Sequence, residues 1–461
     1  MRRLEVGIAV LVCALVTPAG AYASWSAPVQ VVSSHVWAFA RPQVATNASG
    51  DGAIVWHREQ TPEGAQIGVE ASTRRGGGAW SEPVVLGSGS GGGRGPADPV
   101  LGMDAQGEAT AAWLRYGERQ NRVEATRDTT AGVWKRPVPL LPAGEAGAAQ
   151  PGLMIGGSMS ASVFFGGWLN GASRGIELST RHGQRGWSTP RTLSATSGGS
   201  EDSPQAAIDG RGETVLAWIT GGKQNHKWVQ ALILGPGGSP EGRVQTVSSQ
   251  LGDSTELHLA VSEKGNAVLV WRNQGNGQRP IEVATRSPGG HFNKAVIVSR
   301  AKDAEPSVAI EPDGDATILF TRIVSTQPGV SEGSGPNAVI TQSSAVEVVS
   351  GRGLGHWTRP QALDPTAKDS TFEPQIVADE SSGELMAVWT NARFRSLELF
   401  SYFGRIKASV MSPGAGWQAP VTISSGESGR PSVALSSTGH AIAAWVSDKE
   451  STEAKRESVT T

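Results

Sequence analysis

Residues 99–113 read P-V-L-G-M-D-A-Q-G-E-A-T-A-A-W, and this stretch decides the fold. Pro99 opens one apolar run, Gly107 lies in a turn, and a second apolar run ends at Trp113. Proline is tolerated at the first residue of a strand, and glycine supplies the positive φ of a tight hairpin. The stretch therefore predicts two antiparallel strands joined by a short turn.

The same pattern occurs eight times, and its second strand closes on an aromatic residue each time. These aromatic residues follow one another at intervals of 49 to 69 residues: Trp56, Trp113, Phe165, Trp218, Trp271, Phe320, Trp389 and Trp445. A repeat of roughly fifty residues built only of strands is typical of a β-propeller. We therefore predict an all-β fold, a single β-propeller of eight four-stranded blades. Seven blades is the alternative, because the third repeat is degenerate at its turn.

The N-terminus predicts export. Residues 1–23 combine a basic start, an apolar run from Val6 to Val16 and a small-residue cleavage site at Ala21–Ala23, which is the pattern of a secretory signal peptide. The only cysteine, Cys13, lies in that segment, so the propeller domain, 24–461, is expected to contain no disulfide. We therefore predict a secreted protein, extracellular or periplasmic, that is monomeric and has no membrane span after cleavage.

The two ends of this domain predict how the ring closes. Residues 25–32 match the fourth strand of a repeat but precede the first complete one. The last repeat supplies its first two strands and a third strand at 456–461. Pairing the N-terminal strand with the last blade would close the ring and remove two open sheet edges.

The composition excludes several functional classes. Charged residues are 18% of the chain and the formal net charge is −2, which gives no basic surface for nucleic acid or an anionic membrane. The eight histidines have no metal-ligand spacing, and the chain has neither a G-x-S-x-G motif nor a nucleotide-binding glycine motif. We therefore expect no cofactor, no metal and no nucleic-acid partner.

The recurring side chains within a repeat are first expected to have structural roles. Large aromatic residues dominate core packing, so the eight at the second strands are predicted to lie between blades. The third strand alternates apolar and polar residues, as in I-E-V-A at 281–284, which predicts one partly solvated face. The arginines ending this strand are expected to pair with nearby acids at the rim: Arg74, Arg127, Arg181 and Arg286.

A ring of polar residues marks one candidate site. The residue just before each first strand is expected at the mouth of the central channel: Arg41, Asp98, Gln150, Ser203, Glu256, Glu305, Glu373 and Arg430. Neighbouring arginines facing an acidic arc would bind a ligand with a carboxylate at one end and hydroxyls at the other. The alternative is that these charges pair between blades and cap strand ends.

Long connections add a second set of candidates on the same face. These are the segments 87–98, 324–337 and 391–405, which join successive blades or second and third strands. Binding residues concentrate on such variable loops, although neutral surface drift is the alternative. The last segment is rich in aromatic residues and arginine, and it supplies the candidates Arg393, Arg395 and Tyr402.

Residues 24–461 resemble the secreted sialidase-like, or BNR-like, β-propellers in their repeated order of strand, turn and Trp. Sialidases carry Asp-boxes of the form S-x-D-x-G-x-x-W, and residues 49–56, S-G-D-G-A-I-V-W, come nearest, with Ala53 in the glycine position. The resemblance implies an arginine triad, an acid and a tyrosine–glutamate pair. Tyr402, Glu373 and the arginines Arg41 and Arg430 match those roles most nearly.

Two functions with a ligand follow from the sequence, and a purely structural envelope protein without a ligand is a third possibility. The first is a non-enzymatic propeller that binds a glycan or another extracellular partner, such as a protein, on its loop-bearing face. The second, implied by the resemblance, is a sialidase-like glycoside hydrolase that acts on an acidic sugar at the channel mouth. Its carboxylates would come from Glu256, Glu305 and Glu373, because glycosidases need two across the bound sugar.

Overall fold

The computed structural model describes the chain between residues 5 and 448. Outside the described residues lie 1–4, 15–23, 36–37, 40–41, 60–66, 90–94, 118–119, 130–131, 142–146, 157–159, 170–171, 195–200, 223–225, 275–278, 301–302, 329–339, 366–368, 393–403 and 449–461. Every regular element that is described is a β-strand. No helical segment of membrane-spanning length and hydropathy occurs in this part of the chain.

The described strands form eight antiparallel sheets, numbered here as blades one to eight. The N-terminal strands are β1 (Glu5–Ala14), β2 (Ser24–Trp25) and β3 (Val29–His35). Blade one contains β4 (Ala38–Phe39), β5 (Gln43–Thr46), β6 (Gly52–Glu59), β7 (Ile67–Arg74) and β8 (Val84–Gly89). Blade two contains β9 (Gly95–Met103), β10 (Ala109–Tyr116), β11 (Arg122–Arg127) and β12 (Val138–Pro139). Blade three contains β13 (Ala148–Gly156), β14 (Ser160–Leu169), β15 (Ala172–His182) and β16 (Arg191–Thr192).

The remaining blades continue in chain order. Blade four contains β17 (Glu201–Ile208), β18 (Thr214–Gly221), β19 (Lys227–Leu234) and β20 (Pro240–Thr246). Blade five contains β21 (Ser254–Val261), β22 (Ala267–Asn273), β23 (Ile281–Arg286) and β24 (Val296–Ser299). Blade six contains β25 (Asp303–Ile310), β26 (Ala316–Pro328), β27 (Ile340–Arg352), β28 (His356–Trp357) and β29 (Gln361–Ala362). Blade seven contains β30 (Ser370–Ala378), β31 (Leu385–Ala392), β32 (Arg405–Ser412), β33 (Gly416–Trp417) and β34 (Val421–Thr422). Blade eight combines β35 (Glu427–Leu435) and β36 (His440–Asp448) with the N-terminal strands.

The blades form a closed ring. Strands that follow one another in sequence pair within each of blades one to seven, and the degenerate third repeat also forms a complete sheet. The first strand of each blade contacts the first strand of the next, and β35 of the last blade contacts β5 of the first. The predicted all-β propeller architecture is therefore confirmed.

The core is divided into eight hydrophobic clusters, one at each interface between neighbouring blades. Each of the eight repeated aromatic residues is at most 1% exposed and belongs to one of these clusters. The prediction that they pack between blades is confirmed. Because each cluster needs two blades, the second strands are buried on both faces.

The prediction that one face of the third strand is partly solvated is wrong for β7 and β11. Glu124 of β11 is buried, and its carboxylate accepts the indole N–H of Trp113 at 3.1 Å. Arg115 neutralises the same carboxylate at 2.7 Å. A buried carboxylate is tolerated when it is paired and hydrogen-bonded, which an alternating pattern does not reveal. Equivalent bonds join Trp56 to Glu70 and Trp271 to Glu282.

Three of the four arginines at the ends of third strands pair with acids, as expected. Arg127 and Arg181 both contact Glu108, and Arg286 contacts Glu213 at 2.7 Å. Two of these contacts join neighbouring blades, so the arginines help to hold the ring together. Arg74 differs from them, because its buried guanidinium lies against the ring of Trp80.

Blade eight is completed from the N-terminus, but not in the predicted way. Strand β1 pairs with β36 from Val6 opposite Asp448 to Ala14 opposite His440, and β3 pairs with the other edge of β1. The third-strand position is thus occupied by residues predicted to belong to the signal peptide. The segment 456–461, predicted for that position, lies outside the described residues.

Two of the long connections are shorter than predicted, because the flanking strands continue into them. Strands β26 and β27 pair as far as Pro328 opposite Ile340, and β8 reaches Gly89 before β9 begins at Gly95. Extending a hairpin lets backbone N–H and C=O groups pair that would otherwise need water. In the third connection, 391–405, the described strands end at 392 and resume at 405.

Candidate functional site

The first strands share an unusual backbone feature at the predicted ring. Six of the eight predicted positions have a left-handed conformation with φ between 49° and 57°: Asp98, Ser203, Glu256, Glu305, Glu373 and Arg430. Gln150 is exposed at the corresponding place in blade three, and Arg41 lies outside the described residues. These six positions are structurally equivalent, although they lie within the first strands rather than before them.

A β-bulge explains both the position and the backbone conformation. In blade two the register passes from Ala97 opposite Leu114 to Val100 opposite Ala112, so Asp98 and Pro99 face the single residue Trp113. A bulge of this kind extends the strand beyond the proline that seemed to begin it. A left-handed non-glycine residue carries about 1–3 kcal/mol of strain, which persists only where surrounding contacts fix it.

Those contacts are visible in blades five to eight. A carboxylate oxygen of Glu256 accepts the backbone N–H of Glu305 at 2.8 Å. Glu305 in turn accepts the N–H of Glu373 at 2.7 Å, and Glu373 accepts the N–H of Arg430 at 2.8 Å. We call these four residues the carboxylate chain. Each link joins one blade to the next and satisfies the backbone donor of a strained residue.

Further contacts hold the same carboxylates in place. Glu256 forms an ion pair of 2.6 Å with Arg272. The hydroxyls of Thr321 and Thr390 donate to Glu305 and Glu373 at 3.3 and 3.4 Å, respectively. In this half of the ring the carboxylates accept backbone N–H groups of the next blade, and the ion pair of Glu256 with Arg272 lies within blade five.

The other half of the ring is arranged differently. The phenol of Tyr116, which ends strand β10 and is 38% exposed, lies close to the Asp98 carboxylate. Burial and the negative charges of Asp98 and Asp202 raise the pKa of Tyr116. The phenol therefore remains protonated beside the carboxylate.

Asp202 belongs to blade four, and its negative charge acts on the Tyr116 phenol of blade two. It is exposed, and one of its oxygens accepts the backbone N–H of Ser203 at 2.8 Å. Both charged groups that shift the pKa of the Tyr116 phenol, Asp98 and Asp202, are negative. Asp98, Tyr116 and Asp202, which we call the phenol cluster, thus offer carboxylate acceptors and an exposed aromatic ring. Such a set suits hydroxyl donors and cations.

The phenol cluster was only partly found from the sequence. Asp98 was a predicted site residue and Asp202 adjoins another, but Tyr116 was not singled out. One signal was available: Tyr116 ends the second strand opposite Gly95, at the same end of the blade as the bulge. Three other predicted residues, Arg393, Arg395 and Tyr402, lie outside the described residues.

A polar cleft of about 180 Å³ lies between blades four and five, on the side of the short turns. It is lined by Glu213, Glu241, Arg243, Arg286 and His291, among others. Glu213 and Arg286 already pair with each other there. The cleft is smaller than usual ligand pockets, which span roughly 300–1,000 Å³. Across the described residues, no group of three or more His, Cys, Asp or Glu side chains is placed to hold a metal ion.

Solved structures provide the comparisons with known proteins. A GH93 α-L-arabinofuranosidase of Fusarium graminearum with arabinobiose is 12% identical with a TM-score of 0.43, over 82% of this chain and 94% of that one. A protein of unknown function from Dyadobacter fermentans is 11% identical with a TM-score of 0.40, over 89% and 95%. The NanB sialidase of Streptococcus pneumoniae is 11% identical with a TM-score of 0.39, over 77% and 65%.

No protein-family model and no curated protein matches this chain. The propeller architecture of the described residues agrees with the expected resemblance to sialidase-like propellers. At this level of identity the similarity is one of fold alone, and propellers host many functions.

Proposed function

We propose that this chain is a secreted, non-enzymatic β-propeller that binds a glycan, and that its site takes uncharged or amino sugars. One observation carries the proposal: the phenol of Tyr116 is exposed and lies close to the Asp98 carboxylate, within the field of Asp202. Sugar hydroxyls form charge-assisted hydrogen bonds with carboxylates, and an aromatic ring can pack against the apolar face of a sugar.

The charge of the phenol cluster determines the preferred class of sugar. The carboxylates of Asp98 and Asp202 repel the carboxylate of a sialic or uronic acid. No described cation contributes to the pKa shift of the Tyr116 phenol. Arg430, which was expected to bind an acidic group, lies on the other half of the ring, where its backbone N–H donates to Glu373. A neutral or amino sugar therefore fits better than the acidic sugar implied by the resemblance.

Calorimetric titration with matched neutral, amino and sialylated oligosaccharides tests this proposal. We expect neutral or amino sugars to bind and sialylated ones to bind at least tenfold more weakly. Asp98→Asn and Asp202→Asn should each weaken binding roughly tenfold, because a hydrogen bond to a charged group contributes about 1.5–3 kcal/mol. Glu256→Gln is the matched control, since this carboxylate lies in the carboxylate chain and its loss should leave the affinity unchanged.

Three results would contradict the proposal. Tighter binding of sialylated sugars would show that a cationic site elsewhere determines specificity. Equal losses of affinity in Asp98→Asn and Glu256→Gln would show that the two halves of the ring do not differ in function. If no sugar binds but a protein partner does, the glycan assignment is wrong.

The proximity of Tyr116 and Asp98 also favours a second candidate, a glycoside hydrolase. In that case the Tyr116 phenol oxygen would attack the anomeric carbon and displace the glycosidic oxygen, while Asp98 takes the phenol proton and water protonates the departing oxygen. Mass spectrometry of the same oligosaccharides after incubation distinguishes the two functions. Shortened products that disappear in Tyr116→Phe would establish the hydrolase, whereas intact sugars that remain bound support the binding function.

A further inference from the structure

In blade eight, strand β1 occupies the third-strand position, which the segment 456–461 was predicted to occupy. Strand β1 is hydrogen-bonded on one side to β36 and on the other to β3. The same ten residues, Glu5–Ala14, carry the apolar run that predicts a signal peptide. Under the proposed export, removal of residues 1–23 would take this strand out of the blade.

The vacated position would lie between two apolar surfaces. Along β36, Ala441, Ala443 and Trp445 belong to the cluster shared with blade seven. Ile442, Ala444 and Val446 belong to the cluster shared with blade one. All six are at most 1% exposed in the complete blade. Loss of β1 would leave the backbone of a buried strand unpaired along one edge, which is unfavourable in a core and invites a replacement strand.

The chain that follows β36 has the lengths needed to supply that replacement. In blade five, seven residues separate the end of β22 at Asn273 from the start of β23 at Ile281, and β23 is six residues long. After Asp448, residues 449–455 provide a connection of seven residues and 456–461 a strand of six. The segment 456–461, R-E-S-V-T-T, also begins with arginine and has threonine in fifth place, like β11 with R-V-E-A-T-R.

We propose that 456–461 and Glu5–Ala14 are alternative occupants of one strand position, so that the precursor is closed by its leader and the mature chain by its C-terminal segment. The inference rests on the proposed removal of residues 1–23, but not on the identity of any ligand. Both segments would run antiparallel to β36, and β3 would pair with whichever strand is present.

Four chains test this exchange: 1–461, 24–461, 1–448 and 24–448. We expect the first three to protect the amide hydrogens of residues 440–448 from exchange, because each retains one occupant. In 24–448 these amides should exchange at least tenfold faster, and the chain should lose thermal stability or self-associate through its open edge. Such non-additivity is the signature of two groups that serve one site.

A point substitution provides the matched control. Val459→Pro removes a donor from the middle of the proposed strand. It should accelerate exchange of residues 440–448 in 24–461 and have no effect in 1–461, where β1 holds the position. Equal protection in 24–461 and 24–448, or equal effects of Val459→Pro in both chains, would overturn the exchange. The chains are prepared directly, so the test is independent of whether export itself occurs.

Discussion

The carboxylate of Glu305 accepts the backbone N–H of Glu373 at 2.7 Å, and Glu373 is the equivalent residue of the next blade. Glu373 has a left-handed backbone with φ of 55°, so the bond stabilises a strained residue across an interface. Because Glu305 has the same conformation and is held by Glu256 in the same way, blades five and six each fix the inner strand of the next blade. The acidic arc is therefore part of the ring's construction.

Substitution of Glu305 should destabilise the propeller without affecting ligand binding. Glu305→Ala removes the acceptor for a buried backbone donor, and a hydrogen bond to a charged group contributes about 1.5–3 kcal/mol. Glu305→Gln keeps an amide oxygen at the same distance along the side chain. It should therefore lose less than half of that stability. Chemical denaturation measures both losses. Unchanged stability in Glu305→Ala together with lost sugar binding would instead assign the arc to the binding site.

Sequence spacing predicted this ring because the relevant signals are local. Proline, turn glycine and aromatic residue recur within some fifteen residues, as in Pro99, Gly107 and Trp113, and each has a local physical reason. The proline also marked the position of the bulge, although Glu305 and Glu373 were predicted before the first strands and lie within them. What the pattern could not show is the direction in which their carboxylates point.

The remaining differences arise from contacts between distant parts of the chain. Tyr116 and Asp202 belong to blades two and four, so their approach depends on the closure of the ring and leaves no trace in local spacing. The apolar run Glu5–Ala14 fits both a leader and a buried strand, and hydrophobic periodicity alone does not distinguish such uses. Burial of Glu124 likewise depends on partners contributed by a neighbouring strand.

Close packing between blades three and four gives a second prediction. A Cβ added at Gly166 would lie 2.1 Å from the backbone oxygen of Glu201, a contact that cannot be relieved by a side-chain rotation. Gly166→Ala should therefore lower the free energy of unfolding by about 1–3 kcal/mol or more, as overpacked cores do. Gly186→Ala is the control, since a Cβ there meets nothing within 4 Å. Equal thermal melting temperatures of the two variants would contradict the packing seen between these blades.

The interface between blades eight and one contains a buried arginine without a carboxylate partner. Arg74 is 4% exposed, its guanidinium lies 5.3 Å from the ring centre of Trp80, and its Nε and Nη2 have no hydrogen-bond partner among the described residues. Burial lowers the pKa of Arg74, while the charge of Asp51 opposes that shift. Its equivalents Arg181 and Arg286 pair with Glu108 and Glu213 of the preceding blade.

The position of those glutamates is occupied by His440 in blade eight, five residues before the repeated Trp445. His440→Glu should therefore supply the missing partner and raise the free energy of unfolding at pH 7 by about 1 kcal/mol, the usual net value of a hydrogen bond. His440→Gln, which lacks the charge, is the control and should have little effect. Urea denaturation at low and high salt measures the difference, and a gain of equal size in both variants would exclude the ion pair.

The arginines themselves give a matched comparison. Arg74→Met removes an unpaired buried charge and should change stability by less than about 1 kcal/mol in either direction. Arg286→Met leaves Glu213 without its partner, and breaking a buried pair costs about 3–5 kcal/mol. Similar losses in the two variants would mean that Arg74 is satisfied as fully as Arg286.

The turn of blade six should make stability depend on pH. Burial and the neighbouring charges of Asp313 and Asp315 raise the pKa of Glu311 to about 7. The folded chain then binds more protons than the unfolded chain between the ordinary glutamate pKa and about pH 7, so stability falls as pH rises through that window. Asp128, whose pKa burial raises to about 6, acts in the same direction.

Glu311→Gln isolates the contribution of this one carboxyl. The variant should unfold with the same free energy as the parent at pH 4, where Glu311 is mostly protonated in both states. At pH 8 it should be more stable by about 1–3 kcal/mol, because each unit of pKa shift corresponds to about 1.4 kcal/mol and partial exposure reduces the effect. Denaturation curves at the two pH values measure the change. A variant less stable than the parent at pH 8 would mean that the charged carboxylate is favoured where it lies.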